Sequence, residues 1–198
     1  EAATKPKDPV DEAPIFEDTV SAGSILQEKS PAHYQYKGCY IMTAVKSGLM
    51  IIDQYRASVR IMYERYQSQM AEHTAVPQRI LFPEAVQFSP SEAALLQQLI
   101  PELTTMGFEL SDLGGGSYAV NAVPSGVDGD PIALVRHLVD DAAEHGGIIR
   151  QNYADAIALT MARHTAVPHG QVLSNEEMET IVNQLFSCSD VNHSPDGR

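Results

Sequence analysis

Cysteines are scarce in this sequence, and long apolar runs are missing. Only Cys39 and Cys188 occur among 198 residues, so a disulfide framework is not expected and a reducing cytoplasm is the simpler inference. The longest apolar runs are far shorter than the about 18 residues that a membrane-spanning helix needs, so no membrane partner is predicted. The N-terminus is acidic and proline-rich, with none of the apolar character of a signal peptide.

Basic residues are also few. The chain carries 13 Lys and Arg against 26 Asp and Glu, a net charge of −13. A domain that grips nucleic acid through its phosphates needs a stripe of Lys and Arg, because neutralised phosphates supply the affinity. Only Arg56, Arg60 and Arg65 cluster, on one predicted helix. We therefore expect protein partners and weak or indirect contact with DNA.

Motifs of two large enzyme classes are missing. The sequence has no Walker-type loop, and no Ser, His and Asp in order around a nucleophile elbow. Its one glycine run, residues 114–116, is followed by a predicted strand. A phosphate cradle would require a helix N-terminus at that point. The run is therefore predicted to be a turn.

One stretch near the N-terminal end organises the predicted fold. Two apolar runs, 39–45 and 49–52, flank a glycine-containing turn and predict a β-hairpin. The second run has no polar alternation, which predicts a strand covered on both faces. The polar pair at 53–54 then leads into a helix over 55–70, whose apolar residues recur at helical spacing.

The middle of the chain predicts a second group of strands. Residues 78–88 are predicted to be extended, and a capping box at Ser89 begins a helix. Pro101 is expected to kink or shorten that helix. Two strands are then predicted at 108–110 and 118–123.

Helices dominate the rest of the chain. Asp130 is predicted to cap one helix, a second is predicted over 148–163, and a capping box at Ser174 begins the last one. An apolar stripe that includes Phe186 runs along this last helix. The predicted fold is therefore α+β.

The predicted organisation has a linker and two lobes. Residues 1–33, rich in proline and charge, are predicted to be a disordered linker from an upstream domain. Residues 34–77 and 147–198 are predicted to form one discontinuous lobe. A smaller α/β outer lobe, 78–146, is predicted to be inserted between them.

Four segments resemble the C-terminal domain of the MutL family of mismatch-repair proteins. GLMIIDQYRASVRIMYERY resembles the segment that opens this domain, and GQVLSNEEMETIVNQLF resembles its closing helix. SPDGR occupies the place of the family's Cys-Pro-His-Gly-Arg motif, and QRILFP matches its clamp-binding pattern. The resemblance covers residues 34–198 and includes all four segments in the family's order.

The resemblance implies a dimerisation domain without a cofactor of its own. An ATPase domain, which uses ATP and Mg²⁺, would precede it in the full-length protein and is absent from this chain. The implied partners are a second copy of the chain, the replication sliding clamp, the mismatch-recognition protein MutS, a separate strand-nicking endonuclease and a helicase. The implied location is the bacterial cytoplasm, with association to the nucleoid during repair.

Many members of this family are nicking endonucleases with a metal site, and the resemblance locates the corresponding positions. Asp53, Gln54 and Glu64 match the family pattern. The chain departs from the pattern at six positions, with Tyr55 for His, Arg56 for Ala, Val59 for Glu, Arg163 for Cys, Ser194 for Cys and Asp196 for His.

These departures remove most of the ligand atoms. Zinc takes about four nitrogen, sulfur or carboxylate ligands, and the imidazoles and thiolates of the pattern are gone. We therefore expect no metal and no catalysis in this domain. Asp53 is then predicted to cap the helix, and Glu64 to pair with Arg60. The alternative is a metal-dependent nicking endonuclease with a divergent site.

Two binding functions are predicted to remain. The clamp-binding residues are predicted to be Gln78, Ile80, Leu81, Phe82 and Pro83, as an extended peptide with apolar anchors. The alternative is that this segment is a core strand. The dimer interface is predicted to include Ile41, Met50, Ile52, Met178, Val182 and Leu185, since a small lobe cannot cover so much apolar surface alone. The alternative for these residues is an intramolecular core.

Overall fold

The computed structural model describes residues 33–127, 129–144, 153–195 and 197. The predicted linker, except for His33, lies outside the described residues, and so do residues 148–152 and Asp196. His33 is buried, and its backbone N–H donates to Asn175 Oδ1 at 3.2 Å. This last residue of the predicted linker is therefore part of the fold.

The described residues form helices and two small antiparallel sheets, so the predicted α+β class is confirmed. The elements are β1 (Tyr34–Tyr36), β2 (Tyr40–Val45), β3 (Gly48–Asp53), α1 (Gln54–Glu72), β4 (Pro77–Gln87), α2 (Pro90–Thr105), β5 (Glu109–Gly114), β6 (Ser117–Pro124), α3 (Pro131–Glu144), α4 (Tyr153–Thr165) and α5 (Asn175–Ser187).

The first sheet has the order β1-β2-β3 and is antiparallel throughout. The hairpin of β2 and β3 confirms the prediction, with Val45 paired to Gly48 across a two-residue turn. Gly48 has φ +144°, in the region that glycine adopts without steric cost. A helix, α1, follows β3 directly.

The second sheet has the order β4-β6-β5. β4 pairs with β6 in two separate stretches, because the register shifts between Arg79 and Glu84. Four residues of β4, 80–83, face a single residue of β6, Asn121, and form an enlarged β-bulge. This bulge contains most of the predicted clamp-binding segment.

The helix-start predictions are confirmed. Ser89 and Ser174 each cap a helix and form a complete capping box with the glutamate three residues later. Asp130 Oδ1 accepts from the backbone N–H of Ile132 at 2.8 Å, as expected of a cap. Of the two effects expected of Pro101, the shortening is wrong, because α2 continues beyond it to Thr105, and the kink stays a prediction. Phe186 is exposed, although it was predicted to lie in the apolar stripe of α5.

Two apolar clusters hold the described chain together. The larger one joins α1 and α4 to β4, β6, α2 and α3, and the predicted stripe of α1 contributes Val59, Tyr66 and Met70 to it. The smaller one joins the first sheet to α5. The division into two lobes at the boundaries given above stays a prediction. No described helix has the length and apolarity needed to span a bilayer.

Candidate functional site

The first sheet has one covered face and one open face. Directly paired residues of neighbouring antiparallel strands point to the same side, so Tyr34, Met42 and Ile51 form one row across the sheet. Tyr36 and Tyr40 belong to the next row. We call the outward side the exposed sheet face and define it by its exposed apolar side chains, Tyr34, Tyr36, Tyr40, Leu49 and Ile51.

The exposure of this face is large. Tyr34 is 65%, Ile51 61% and Leu49 59% exposed to solvent. The prediction that β3 is covered on both faces is therefore wrong within this chain, because only its Met50 and Ile52 side packs inward. The alternation of tyrosines at 34, 36 and 40 was the signal in the sequence that could have revealed this face.

The covered face contains the residues that were predicted to form a dimer interface. Ile41, Ile52, Met178, Val182 and Leu185 are buried in the smaller apolar cluster, and Met50 packs against that cluster. The argument that the lobe cannot cover them is corrected, since α5 lies over this side of the sheet and covers them. They correspond to the alternative of an intramolecular core.

A groove of about 370 Å³ borders the exposed sheet face. Ile51 lines it from the sheet, and the exposed ring of Phe186 lines it from α5. Polar side chains also line the groove, among them Arg56 and His193. The apolar surface therefore continues from the sheet onto α5.

Asp53 is occupied by contacts that fix the start of α1. Its Oδ1 accepts from the backbone N–H of Arg56 at 3.0 Å, as predicted for a helix cap, and lies 3.2 Å from His169 Nε2. The guanidinium of Arg56 approaches Oδ2 at 3.9 Å. This arrangement provides an acidic residue at a helix N-terminus, which is a stabilising position for its charge.

The neighbouring positions of the endonuclease pattern do not supply metal ligands of the expected kind. The Tyr55 ring packs against the ring of His169, with 5.3 Å between centroids. Val59 is buried in the larger cluster and carries no ligand atom. Arg163 brings a cation to the cavity that it lines with Tyr63 and Pro195. These residue types do not fit a zinc site, because zinc takes imidazole, thiolate or carboxylate ligands.

Glu64 anchors the segment that follows α5. Its carboxylate accepts from the Ser189 backbone N–H at 2.9 Å and from Ser189 Oγ at 2.7 Å. Arg60 lies beside it at 3.6 Å, as predicted, and donates from Nε to the His193 carbonyl at 2.8 Å. Desolvation raises the pKa of Glu64, but the bonds from Ser189 and the backbone of Asp190, with the Arg60 charge, leave it below its ordinary value.

Ser194 lines the same groove as Asp53. Ser194 is buried, and its carbonyl accepts from the Gly197 backbone N–H at 2.9 Å. Asp196 lies outside the described residues. Within the part of the chain that the structure describes, no three His, Cys, Asp or Glu side chains are grouped in a way that could hold a metal ion.

Gln54 has a role that the sequence did not reveal. Its side chain is fully buried and donates from Nε2 to the carbonyl of Pro168 at 2.8 Å. Gln35 donates to Gln54 Oε1 and to the carbonyl of Gln171, both at 2.7 Å. Two glutamines therefore fasten the loop after α4 to the first sheet, through contacts between residues more than a hundred positions apart.

The predicted clamp-binding segment is divided by the bulge. Leu81 is 89% and Phe82 82% exposed, so the alternative of a buried core strand does not describe these two residues. Ile80 is partly buried and packs against the larger cluster, which holds the base of the bulge. Gln78 lies just before it and pairs with Val123. The bulge therefore presents two adjacent apolar side chains to solvent.

A family model described as the MutL C terminal dimerisation domain matches residues 33–173. The chain belongs to this MutL family. The match runs from the start of β1 to the loop after α4, so it includes both the exposed sheet face and the bulge.

Similar full-length proteins are MutL proteins of bacteria, each described as DNA mismatch repair protein MutL. The protein of Bacteroides fragilis is 49% identical over 183 residues, 91% of this chain and 29% of its own length. That of Phocaeicola vulgatus is 48% identical over 96% of this chain and 30% of its own. That of Parabacteroides distasonis is 43% identical over 100% of this chain and 33% of its own. The chain thus spans about a third of the length of these MutL relatives.

Proposed function

We propose that this MutL domain is a non-catalytic homodimerisation domain that also contacts the sliding clamp. The observation that carries the proposal is the exposed sheet face, where Tyr34, Leu49 and Ile51 stand mostly in solvent. A contiguous apolar patch on a folded chain marks an interaction surface. The matching family model is described as a dimerisation domain, which supports a second copy of the chain as the partner that covers this face.

Two copies meeting through this face would form a symmetric contact. A two-fold axis brings the same patch of both subunits together, so the patch must complement itself. Tyrosines occupy the β1 and β2 side of the face, and Leu49 and Ile51 occupy the β3 side. With the two-fold axis parallel to the strands, rotation by half a turn sets the tyrosines of one copy against the aliphatic side chains of the other, a composition typical of interface centres.

In this arrangement the six residues first predicted for the interface support it from behind. Ile41 and Ile52 point to the other side of the same strands and pack against Met178 of α5. Their burial makes the sheet a firm platform, and a firm platform lowers the entropy lost on association.

Sedimentation of the wild-type chain tests dimerisation. The expected result is a single species of twice the 21.6 kDa chain mass at micromolar concentration. A clean monomer at that concentration would overturn the homodimer. A cross-linked or swapped species is distinguished by repeating the run after dilution, since the proposed dimer is reversible.

The contact with the sliding clamp is assigned to the bulge at 80–83. The clamp pocket is expected to accept Leu81 and Phe82 as apolar anchors, with Gln78 as the polar group. Pro83 restricts the backbone beside them and so reduces the entropy that is lost on docking. The exposure of both anchors supports this, because they need no unfolding to become available.

The non-catalytic proposal rests on the chemistry of the residues at the endonuclease positions. The Tyr55 ring packs at a tilt against a histidine ring. Val59 is buried in an apolar cluster, and the Glu64 carboxylate accepts from Ser189. A carboxylate that holds two donors of its own chain would have to release them to bind a metal. We accordingly propose that this domain uses no cofactor.

A nicking assay tests this second part. The purified chain with Mn²⁺ is expected to leave supercoiled DNA uncut, at the same background level as Asp53→Asn. Asparagine is also a good helix cap, so this variant keeps the start of α1. Nicking by the wild-type chain that disappears in Asp53→Asn would establish the alternative, a divergent endonuclease. Metal content by mass spectrometry, expected to be far below one ion per chain, is the companion measurement.

The properties of the whole protein are proposals as well, because the chain spans about a third of its relatives. They are an upstream ATPase domain with ATP and Mg²⁺, contact with MutS, a separate nicking endonuclease and a helicase, and work in the cytoplasm at the nucleoid. The predicted linker and the two-lobe division belong to the same set.

A further inference from the structure

Two tyrosines of the exposed sheet face, Tyr34 and Tyr36, belong to the shortest strand of the described chain. β1 has three residues and is an edge strand, in the sheet order β1-β2-β3. Side chains alternate along a strand, so Gln35 is the one side chain of β1 that points to the covered face. Three residues form few hydrogen bonds with a neighbouring strand, and the position of β1 therefore depends on what Gln35 contacts.

Gln35 is held on the covered face by three hydrogen bonds. Its Nε2 donates to Gln54 Oε1 and to the carbonyl of Gln171, both at 2.7 Å. Its Oε1 accepts from the backbone N–H of Leu173 at 3.2 Å. Backbone N–H groups only donate and carbonyls only accept, so these partners fix which way the Gln35 amide faces.

Gln54 completes this network from the start of α1. Its side chain is fully buried, and its Nε2 donates to the carbonyls of Pro168 at 2.8 Å and Gln171 at 3.2 Å. Both amide hydrogens of Gln54 are therefore used, and its oxygen accepts from Gln35. A buried polar network whose members are satisfied is rigid. We call Gln35 and Gln54 the amide lock.

The loop between α4 and α5, to which the amide lock binds, is also attached to the first sheet and α1 at other points. The backbone N–H of Gly170 donates to the carbonyl of Gly38 at 2.7 Å, and that of Val167 donates to Ser58 Oγ at 3.0 Å. A Cβ added to Gly38 would lie 3.0 Å from Gly170 Cα, so the two backbones are in close contact. The loop is therefore a fixed support, and the amide lock connects β1 to it.

We propose that Gln35 is a positioning residue for dimerisation, because it holds β1 so that Tyr34 and Tyr36 present one arrangement of rings to the second copy. Gln54 acts by orienting Gln35. The inference rests on the homodimer proposed above and names the residues that preorganise its contact. Ordering side chains on association costs free energy, so tyrosines that are fixed beforehand bind more tightly. Gln54, which matches the endonuclease pattern, thereby has a role that involves no metal.

Sedimentation of a leucine variant tests the proposal. Gln35→Leu keeps the approximate size of the side chain and removes its three hydrogen bonds. The dissociation constant of the dimer is expected to rise about tenfold, since two tyrosines must then be ordered on association. The matched control is Gln67→Leu, because Gln67 is also partly buried and its amide also donates twice, to Tyr63 Oη and Asp155 Oδ1. Gln67 lies in the second half of α1, and its replacement should leave the dimer unchanged.

Hydrogen exchange separates positioning from a general loss of structure. It is measured on the Ile51→Glu chain with and without Gln35→Leu, so that dissociation of the dimer does not contribute. The amides of β1 are expected to exchange about tenfold faster with Gln35→Leu, whereas those of α1 and α4 keep their rates. Gln35→Ser leaves room for water to satisfy the freed groups, and it should give the same result if the leucine variant does not fold.

The outcomes distinguish this inference from the dimer on which it rests. A wild-type dimer whose dissociation constant Gln35→Leu leaves unchanged would overturn the positioning role alone. Equal effects of Gln35→Leu and Gln67→Leu, or unchanged exchange in β1, would do the same. Faster exchange throughout the chain would also overturn it, because the substitution would then act on stability in general. A monomeric wild-type chain would overturn the dimer and this inference together.

Discussion

Ile51→Glu is expected to convert the proposed dimer into a monomer. Ile51 lies on the β3 side of the exposed sheet face, in the row of paired residues that also contains Tyr34 and Met42. In a two-fold interface the substitution places two carboxylates in the buried contact, and an unpaired buried charge is strongly unfavourable. The dissociation constant is expected to rise by a factor of about 100 or more, which corresponds to about 2.8 kcal/mol at 1.4 kcal/mol per tenfold.

The fold of this variant is expected to survive. Ile51 points away from both apolar clusters, so the glutamate remains in water in the monomer, and surface substitutions of this kind are usually within about 0.5 kcal/mol of neutral. Circular dichroism and thermal melting check this, and sedimentation measures the association. The matched control is Val172→Glu, in the exposed loop before α5, which should remain dimeric. A dimeric Ile51→Glu chain would exclude the exposed sheet face as the interface.

Replacement of both Leu81 and Phe82 by alanine is expected to abolish detectable clamp binding. Truncation of an apolar anchor at an interface centre typically costs about 2 kcal/mol or more, a loss of about 30-fold in affinity for each anchor. Both side chains protrude from the bulge and belong to neither apolar cluster. Their removal should therefore leave the stability and the dimer unchanged.

Calorimetry with the purified sliding clamp measures this effect. The control variant is Leu113→Ala, which removes an exposed leucine from β5 of the same sheet and should bind as the wild type does. Gln78→Ala is expected to weaken binding less than the double variant, since it removes a polar group at the end of the segment. If the double variant bound the clamp with wild-type affinity, the bulge would be excluded as the clamp contact. Such a result would leave the dimer proposal intact, because sedimentation tests that separately.

The features that were predicted correctly depend on neighbouring residues in the chain. The capping boxes at Ser89 and Ser174 and the cap at Asp53 involve contacts over three positions. The hairpin depends on a two-residue turn between apolar runs. Each of these structures is stabilised within a few residues, so short-range patterns in the sequence are sufficient to predict it.

The departures at the endonuclease positions could also be recognised without the structure. Tyr, Val and Arg stand where ligands are expected, and their chemistry is evident from residue type alone. The contacts that residues at these positions make instead of binding a metal could not be predicted from the sequence. Glu64 bonds to Ser189, 125 residues away, and nothing local to either residue indicates that pairing.

The two faces of the first sheet show which features the local sequence determines and which depend on the tertiary structure. Leu49, Ile51 and Ile52 are equally apolar, so the sequence predicts a strand but does not say which side is open. Only the position of α5 over the first sheet leaves Leu49 and Ile51 exposed and buries Ile52. The bulge is similar, because the mismatch between β4 and β6 turns Leu81 and Phe82 outward from an apparently ordinary strand. Strand formation depends on residue type and alternation, whereas exposure depends on which distant element packs against the strand.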